Sequence, residues 1–286
     1  MARGELVGAF SKLDWVDREF ATLEKDIPAW AASEGYTTES DFYPQANIIA
    51  MRITLATPPN EFGVRVGNIV HSLRSALDYL VSDLAVLNGC EPVEGPRGNQ
   101  FPIFSKPPIT RKGEPVQFAI KTLRGVLAGV HPIHASMIEA FQPYWPENQI
   151  EGVPNPFEML TDLSNTDKHR VLHTLASGAI MGKSVGLTGV VECDVKEILH
   201  FQPILQGPHL KAGTVVACAE IVPNGPEPKM YVEALFPLQL IFEDELSVMK
   251  CLFSIKESVR ALLVWFKPLF AGEPIGEPPR LSPFPT

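Results

Sequence analysis

Apolar residues Leu6, Phe10, Leu13, Phe20, Leu23 and Ile27 recur at near-helical spacing. The pattern predicts an amphipathic helix over about residues 5–27, stopped by Pro28. Asn47 to Leu55 is short, rich in β-branched residues and bounded by Pro44 and Pro58, which reads as a strand. Asn60 follows Pro58-Pro59 and can cap a second helix. Its apolar face is Val66, Ile69, Val70, Leu73, Leu77, Leu80, Val81 and Leu84, with a stop at Asn88-Gly89. Gly63 and Gly67 weaken its first turn, each by about 1 kcal/mol against alanine.

Residues 89–130 are weakly patterned, and Phe101-Pro102-Ile103-Phe104 reads as an anchored loop. His131-Pro132-Ile133-His134 opens a short helix carrying Ile133, Met137, Ile138 and Phe141, with the histidines as caps. Asn155-Pro156-Phe157-Glu158 is a helix start with an asparagine cap and a proline at the first position, and that helix is expected to run to about Ser177. Beyond it, Val185–Val195, Lys196–Gln202, Thr214–Val222 and Lys229–Phe242 read as strands. Pro223-Asn224-Gly225-Pro226 forms a turn between two of them. Asp244 can cap a last helix bearing Val248, Leu252, Ile255, Val259, Leu262 and Phe266, ended by Pro268.

The early strand needs partners, and the late strands supply them. The expected fold is therefore α+β, one domain over residues 1–271. Helices are expected on one face of a mostly antiparallel sheet, with a long C-terminal helix. Residues 272–286 are proline-rich and read as a disordered tail.

Composition narrows the classes. Hydrophobic residues make up 45% of the 286 and charged residues 20%, enough for a sizeable core. A net charge of -9 disfavours nucleic acid as a partner. No apolar run approaches the roughly 20 residues of a membrane span. The opening Met1-Ala2-Arg3-Gly4-Glu5 does not read as a signal peptide. Cys90, Cys193, Cys218 and Cys251 form no CxxC pair, so reduced thiols and a cytoplasmic setting are expected.

Chemistry-bearing residues gather in two segments. In the first, Asn68, His71, Ser75 and Asp78 follow helical spacing, and Arg74 can pair with Asp78 four residues on. In the second, Glu158, Asp162, Asn165, His169 and His173 line one stripe, beside the run Asp167-Lys168-His169-Arg170. Two histidines four apart can share a metal ion. Arg170 lies next to His169 and no glutamate stands between the histidines, so no metal and no cofactor is assigned. If the two helices pack side by side, histidine is the proton carrier near neutral pH and arginine the anion clamp. His71, His169 and Asp78 are then the catalytic candidates, and Arg74, Asn165, Arg170 and His173 the ligand-binding ones. The same groups also read as solvated faces or as a structural ion-pair network.

Leu73-Arg74-Ser75-Ala76-Leu77-Asp78, Phe101-Pro102-Ile103-Phe104, Phe141-Gln142-Pro143-Tyr144 and Asp167-Lys168-His169-Arg170 occur in that order. In these the chain resembles a family of uncharacterised bacterial proteins with helical LRSALD and DKHR segments. The resemblance covers about residues 60–270 and implies a shared domain but no activity. A weaker resemblance is to the helical HEPN ribonucleases, in which a histidine follows an arginine by four to six residues. Here Arg74 meets Tyr79 at that distance, and Arg170 meets His173 sooner. That resemblance implies metal-independent RNA cleavage by a homodimer. Three readings follow in order. The first is a protein binding, and in one form hydrolysing, a small anionic ligand. The second is a non-enzymatic interaction protein with a structural polar network. The third is a HEPN-like ribonuclease.

Overall fold

A computed structural model of the chain describes residues 5–93, 95, 98–110, 113–167, 175–179, 186–203, 209–210, 213–235, 238–242 and 246–279. Among these residues the fold is mixed α+β, every strand pairing is antiparallel, and a long helix closes the chain, as expected. The chain forms two compact units, and neither is continuous. The first takes residues 1–22, 63–172 and 249–286; the second takes 23–62 and 173–248. No single cut in the sequence separates them.

The first unit is helical. Helix α1 is Val7–Glu34 and helix α2 is Asn60–Leu87; each begins in one unit and ends in the other. Three short helices follow: α3 (Phe118–Thr122), α4 (Pro132–Glu139) and α5 (Pro156–Asp167). The last is α6 (Val248–Phe270). Leu13 and Val16 of α1, Ile69 and Leu73 of α2 and Leu252 and Ile255 of α6 are fully buried. Each fully buried aliphatic side chain contributes roughly 1.5–3 kcal/mol. Ion pairs tie the helices at their rims. Arg65 of α2 pairs with Glu19 of α1, and Asp17 of α1 takes Arg260 at 2.5 Å and Lys256 at 3.2 Å from α6. Burial pushes the Asp17 carboxyl up, but its hydrogen bonds from Arg260 and Lys256 outweigh burial and hold it below the ordinary range.

Pro268 does not end α6, as the sequence suggests. It sits inside the last turn, and the helix stops at Gly272, whose φ is +73°. Gly272 N–H donates to the Leu269 carbonyl at 3.1 Å and Glu273 N–H to the Pro268 carbonyl at 2.9 Å. This is a Schellman cap, which needs a left-handed residue and so favours glycine.

The second unit is built on a four-stranded sheet ordered β1-β2-β7-β5. Its strands are β1 (Tyr36–Tyr43), β2 (Ile48–Leu55), β7 (Val215–Pro223) and β5 (Val195–Pro203). The expected early strand is β2, and it pairs with a late strand as predicted: Ile49 opposes Ala219 and Met51 opposes Ala217. Ile49, Met51, Ile53, Ala219 and Ile221 form this unit's core. Two further sheets join β4 (Gly186–Cys193) to β8 (Met230–Leu235), and β6 (His209–Leu210) to β3 (Leu175–Ala179) to β9 (Leu238–Ile241). The single strand expected over Lys229–Phe242 is thus two strands in different sheets. The Pro223–Pro226 turn joins β7 to β8, which also belong to different sheets.

Three other expectations change. Pro28 lies inside α1 rather than at its end. Leu23, Ile27 and Trp30 continue one buried stripe, and Trp30 packs edge-on to Phe62 at 6.0 Å. That burial offsets the roughly 3 kcal/mol a mid-helix proline costs. The helix expected to reach Ser177 cannot do so, because Leu175–Ala179 is a strand; its ladder with β9 outweighs local helical spacing. Strand β1 does not stand out in the sequence because its outward residues are Thr37, Glu39, Asp41 and Tyr43, with few β-branched residues to mark it.

Candidate functional site

Helix α2 runs through the LRSALD segment with Leu73, Ala76 and Leu77 fully buried. That face fixes the rest: Arg74 and Asp78 are half-buried at its edge, and His71 points to solvent. The expected i,i+4 pair forms, Arg74 Nη2 to Asp78 Oδ1 at 3.6 Å. Both groups also reach across 23 to 27 residues of chain to one residue. Phe101 N–H donates to Asp78 Oδ1 at 2.8 Å, and Arg74 Nη2 donates to the Phe101 carbonyl at 2.5 Å. Burial holds the Arg74 guanidinium below its ordinary pKa, and the Asp78 carboxylate pulls the other way. A guanidinium that is partly desolvated needs such partners.

The hold on Phe101 places its ring, fully buried, 5.9 Å from the Phe157 ring of α5. Gln142 continues the clamp along the same loop. Its Oε1 accepts from Phe104 N–H at 2.9 Å, and its Nε2 donates to the Pro102 carbonyl at 2.9 Å and to the Ile138 carbonyl at 3.2 Å. Three of the four quoted segments, LRSALD, FPIF and FQPY, are therefore one hydrogen-bonded assembly. The fourth begins at the end of α5. A Cβ built on Gly67 of α2 would lie 2.2 Å from Asp167 Oδ1, so α2 passes close to the end of α5 there, and a larger residue would require the Asp167 carboxylate to swing aside.

Of the residues singled out from sequence, Arg74 and Asp78 come together, and His71 and Asn165 are both exposed. His169, Arg170 and His173 lie outside the described residues. Asn155 caps α5 as expected, accepting from Phe157 N–H at 2.9 Å. His131 caps α4 by accepting from Ile133 N–H at 3.2 Å. His134 does not act as a cap. Its Nδ1 is buried with no hydrogen-bond partner among the described residues, and burial together with the neighbouring His131 lowers its pKa. Among the described residues no three His, Cys, Asp or Glu side chains are placed to hold a metal ion, and no helix is long and apolar enough to cross a membrane.

One sizeable concavity was not legible in the sequence. It is a groove of about 910 Å³ in the helical unit, walled by Glu139, Phe141, Trp145, Asn148 and Ile150, with Pro278 and Pro279 of the chain's own tail along it. Side-chain amides stiffen its walls. Asn148 Nδ2 donates to the Ala140 and Gln142 carbonyls at 2.8 and 3.0 Å, and Asn155 Nδ2 to the Asn148 carbonyl at 2.9 Å. Trp145 Nε1 donates to the Glu139 carbonyl at 2.9 Å, and Trp145 is 40% exposed. Tyr144 donates its hydroxyl to Glu139 Oε1 at 2.9 Å; burial and that carboxylate push the phenol well above its usual range. A second concavity, on the sheet, surrounds Arg52 and Cys218. Arg52 is already engaged by Asp41, by the Tyr43 hydroxyl and by the Gly213 carbonyl.

Compared with protein-family models, with curated proteins and with solved structures, the chain matches none of them.

Proposed function

We propose that this chain is a non-enzymatic interaction protein in which the LRSALD segment is framework. The observation that carries this reading is the two-point hold on Phe101. Arg74, the anion-clamp candidate of α2, and Asp78, one of its catalytic candidates, are both committed to the backbone of one buried residue. A guanidinium held that way stabilises a loop; it is not presented to a ligand. The assembly it anchors, through Gln142, ends at the exposed Trp145 groove, a surface suited to a partner. A cytoplasmic setting belongs to the same proposal and is supported by the wide spacing of the four cysteines, with no CxxC pair.

Arg74→Ala tests it. A framework role lowers unfolding free energy by about 2 kcal/mol, since a hydrogen bond to a charged group and its orphaned partner are lost together. It leaves binding of small anions unaltered. An unchanged melting temperature would overturn the framework role.

The approach of Gly67 to Asp167 supports a second reading, the binding of a small anionic ligand beside the end of α5, with His71 and Asn165 among its residues. It brings α2 against the end of α5 where the charged run begins. Inorganic phosphate and acetate should then raise the melting temperature of the wild type and not that of His71→Ala. Equal response in both proteins would remove this reading.

A further inference from the structure

We infer that the Trp145 groove is a docking site for a proline-rich segment carrying a basic residue, bordered in this chain by its own Pro278–Pro279. The inference rests on the interaction-protein reading and gives that reading its partner class. Four observations support it. The groove wall is aromatic and aliphatic, with Trp145 and Ile150 both exposed along it. Such walls take proline rings well, because a proline segment loses little conformational freedom on docking.

The chain already places prolines there. The Gly272 cap turns the backbone out of α6, and Trp265 Nε1 donates to the Gly276 carbonyl at 3.0 Å, which fixes the path of the tail. Trp265 is itself held edge-on by Phe141 at 5.1 Å and Phe266 at 5.0 Å. An indole N–H donating to a carbonyl beside an aromatic slot is the way extended proline-rich ligands are held elsewhere.

The tail is seated but shallow. Glu277 and Pro278 are exposed and Pro279 is half-buried. A ligand of this kind holds its place by tethering, since the local concentration of a short linked segment is millimolar. A free segment with more contacts can displace it. Finally, Glu139 and Glu147 border the groove. They favour a positive charge next to the prolines, and in this sequence Arg280 directly follows Pro279.

The probe is a synthetic peptide of residues 272–286, titrated against the full chain by calorimetry. In Pro278→Ser/Pro279→Ser the tethered competitor is weakened, and the peptide should bind at least tenfold more tightly than to the wild type. Adding Trp145→Ala or Ile150→Ser, with circular dichroism confirming the fold, should abolish binding. A peptide with Arg280→Glu should bind several-fold more weakly. Equal affinity in wild type and double variant, no binding to the double variant, or affinity indifferent to both wall substitutions would each overturn the inference. Failure here with a destabilised Arg74→Ala leaves the interaction-protein reading standing, so the two failures are separable.

Discussion

Phe101 N–H donates to Asp78 Oδ1 at 2.8 Å while the carbonyl of the same residue accepts from Arg74, one helical turn away on α2. Two charges that attract one another at 3.6 Å thus share a single backbone target. The pair and the loop must be energetically coupled. In a double-mutant cycle, Arg74→Ala and Asp78→Ala should each cost about 2 kcal/mol. Together they should cost less than the sum by about 1 kcal/mol, read by urea denaturation. Strict additivity would mean that the two side chains act independently.

Gln142 is fully buried and satisfies three backbone groups. Gln142→Ala orphans the Phe104 N–H and the Pro102 carbonyl, and should cost about 3 kcal/mol. The local signature is a loss of hydrogen-exchange protection at the Phe104 amide ahead of global unfolding. Unaltered protection there would show that the loop is held by its aromatic rings alone.

The effect of Gly67→Ala should depend on its neighbour. Alanine gains about 1 kcal/mol over glycine inside a helix. The added carbon, however, would sit 2.2 Å from Asp167 Oδ1. In the wild type the Asp167 carboxylate must swing aside, which offsets part of that gain. In an Asp167→Ala background the gain should appear, at about 1 kcal/mol by chemical denaturation. An equal effect in both backgrounds would contradict the close helix approach.

His134 makes stability depend on pH. Its folded pKa lies below the ordinary 6.5 because burial and His131 disfavour the charged ring. The unfolded state therefore binds the proton first, and stability falls as pH drops through 6.5, levelling off below the folded value. Thermal melts between pH 7.5 and 5 should show a falling melting temperature. His134→Leu should flatten that slope. A slope unchanged by the substitution would assign it to other groups.

Much of the secondary structure was legible because it is local. The stripes of Ile69, Leu73 and Leu77 and of Leu252, Ile255 and Val259 repeat at helical spacing and are buried in the fold. The Arg74–Asp78 pair follows from the same arithmetic. Its purpose did not, because Phe101 lies 23 residues from Asp78 and no spacing rule connects them. Strand β1 was hidden by its polar outer residues, and the run of α1 past Pro28 by a burial that only Trp30 and Phe62 reveal. The groove was illegible for a plainer reason. Its walls come from residues 136–156 and from Pro278 and Pro279, and sequence separation of that size leaves no periodic trace.

The interleaving of the two units bears on how the chain is made. A ribosome releases residues in order, and the central stretch of the helical unit, residues 63–172, emerges long before residues 249–286. The buried residues Ile69, Leu73 and Leu77 belong to the same unit as Leu252, Val259 and Phe266 of α6, also fully buried, which are translated only after the whole sheet unit. At synthesis rates of roughly 5–20 residues per second, that leaves several seconds in which half a core waits for its remaining wall. The sheet unit, whose last residue is 248, has all of its strands available first. The nascent chain is thus expected to close its β part before its helical part, and to be at its stickiest toward chaperones in the interval between them.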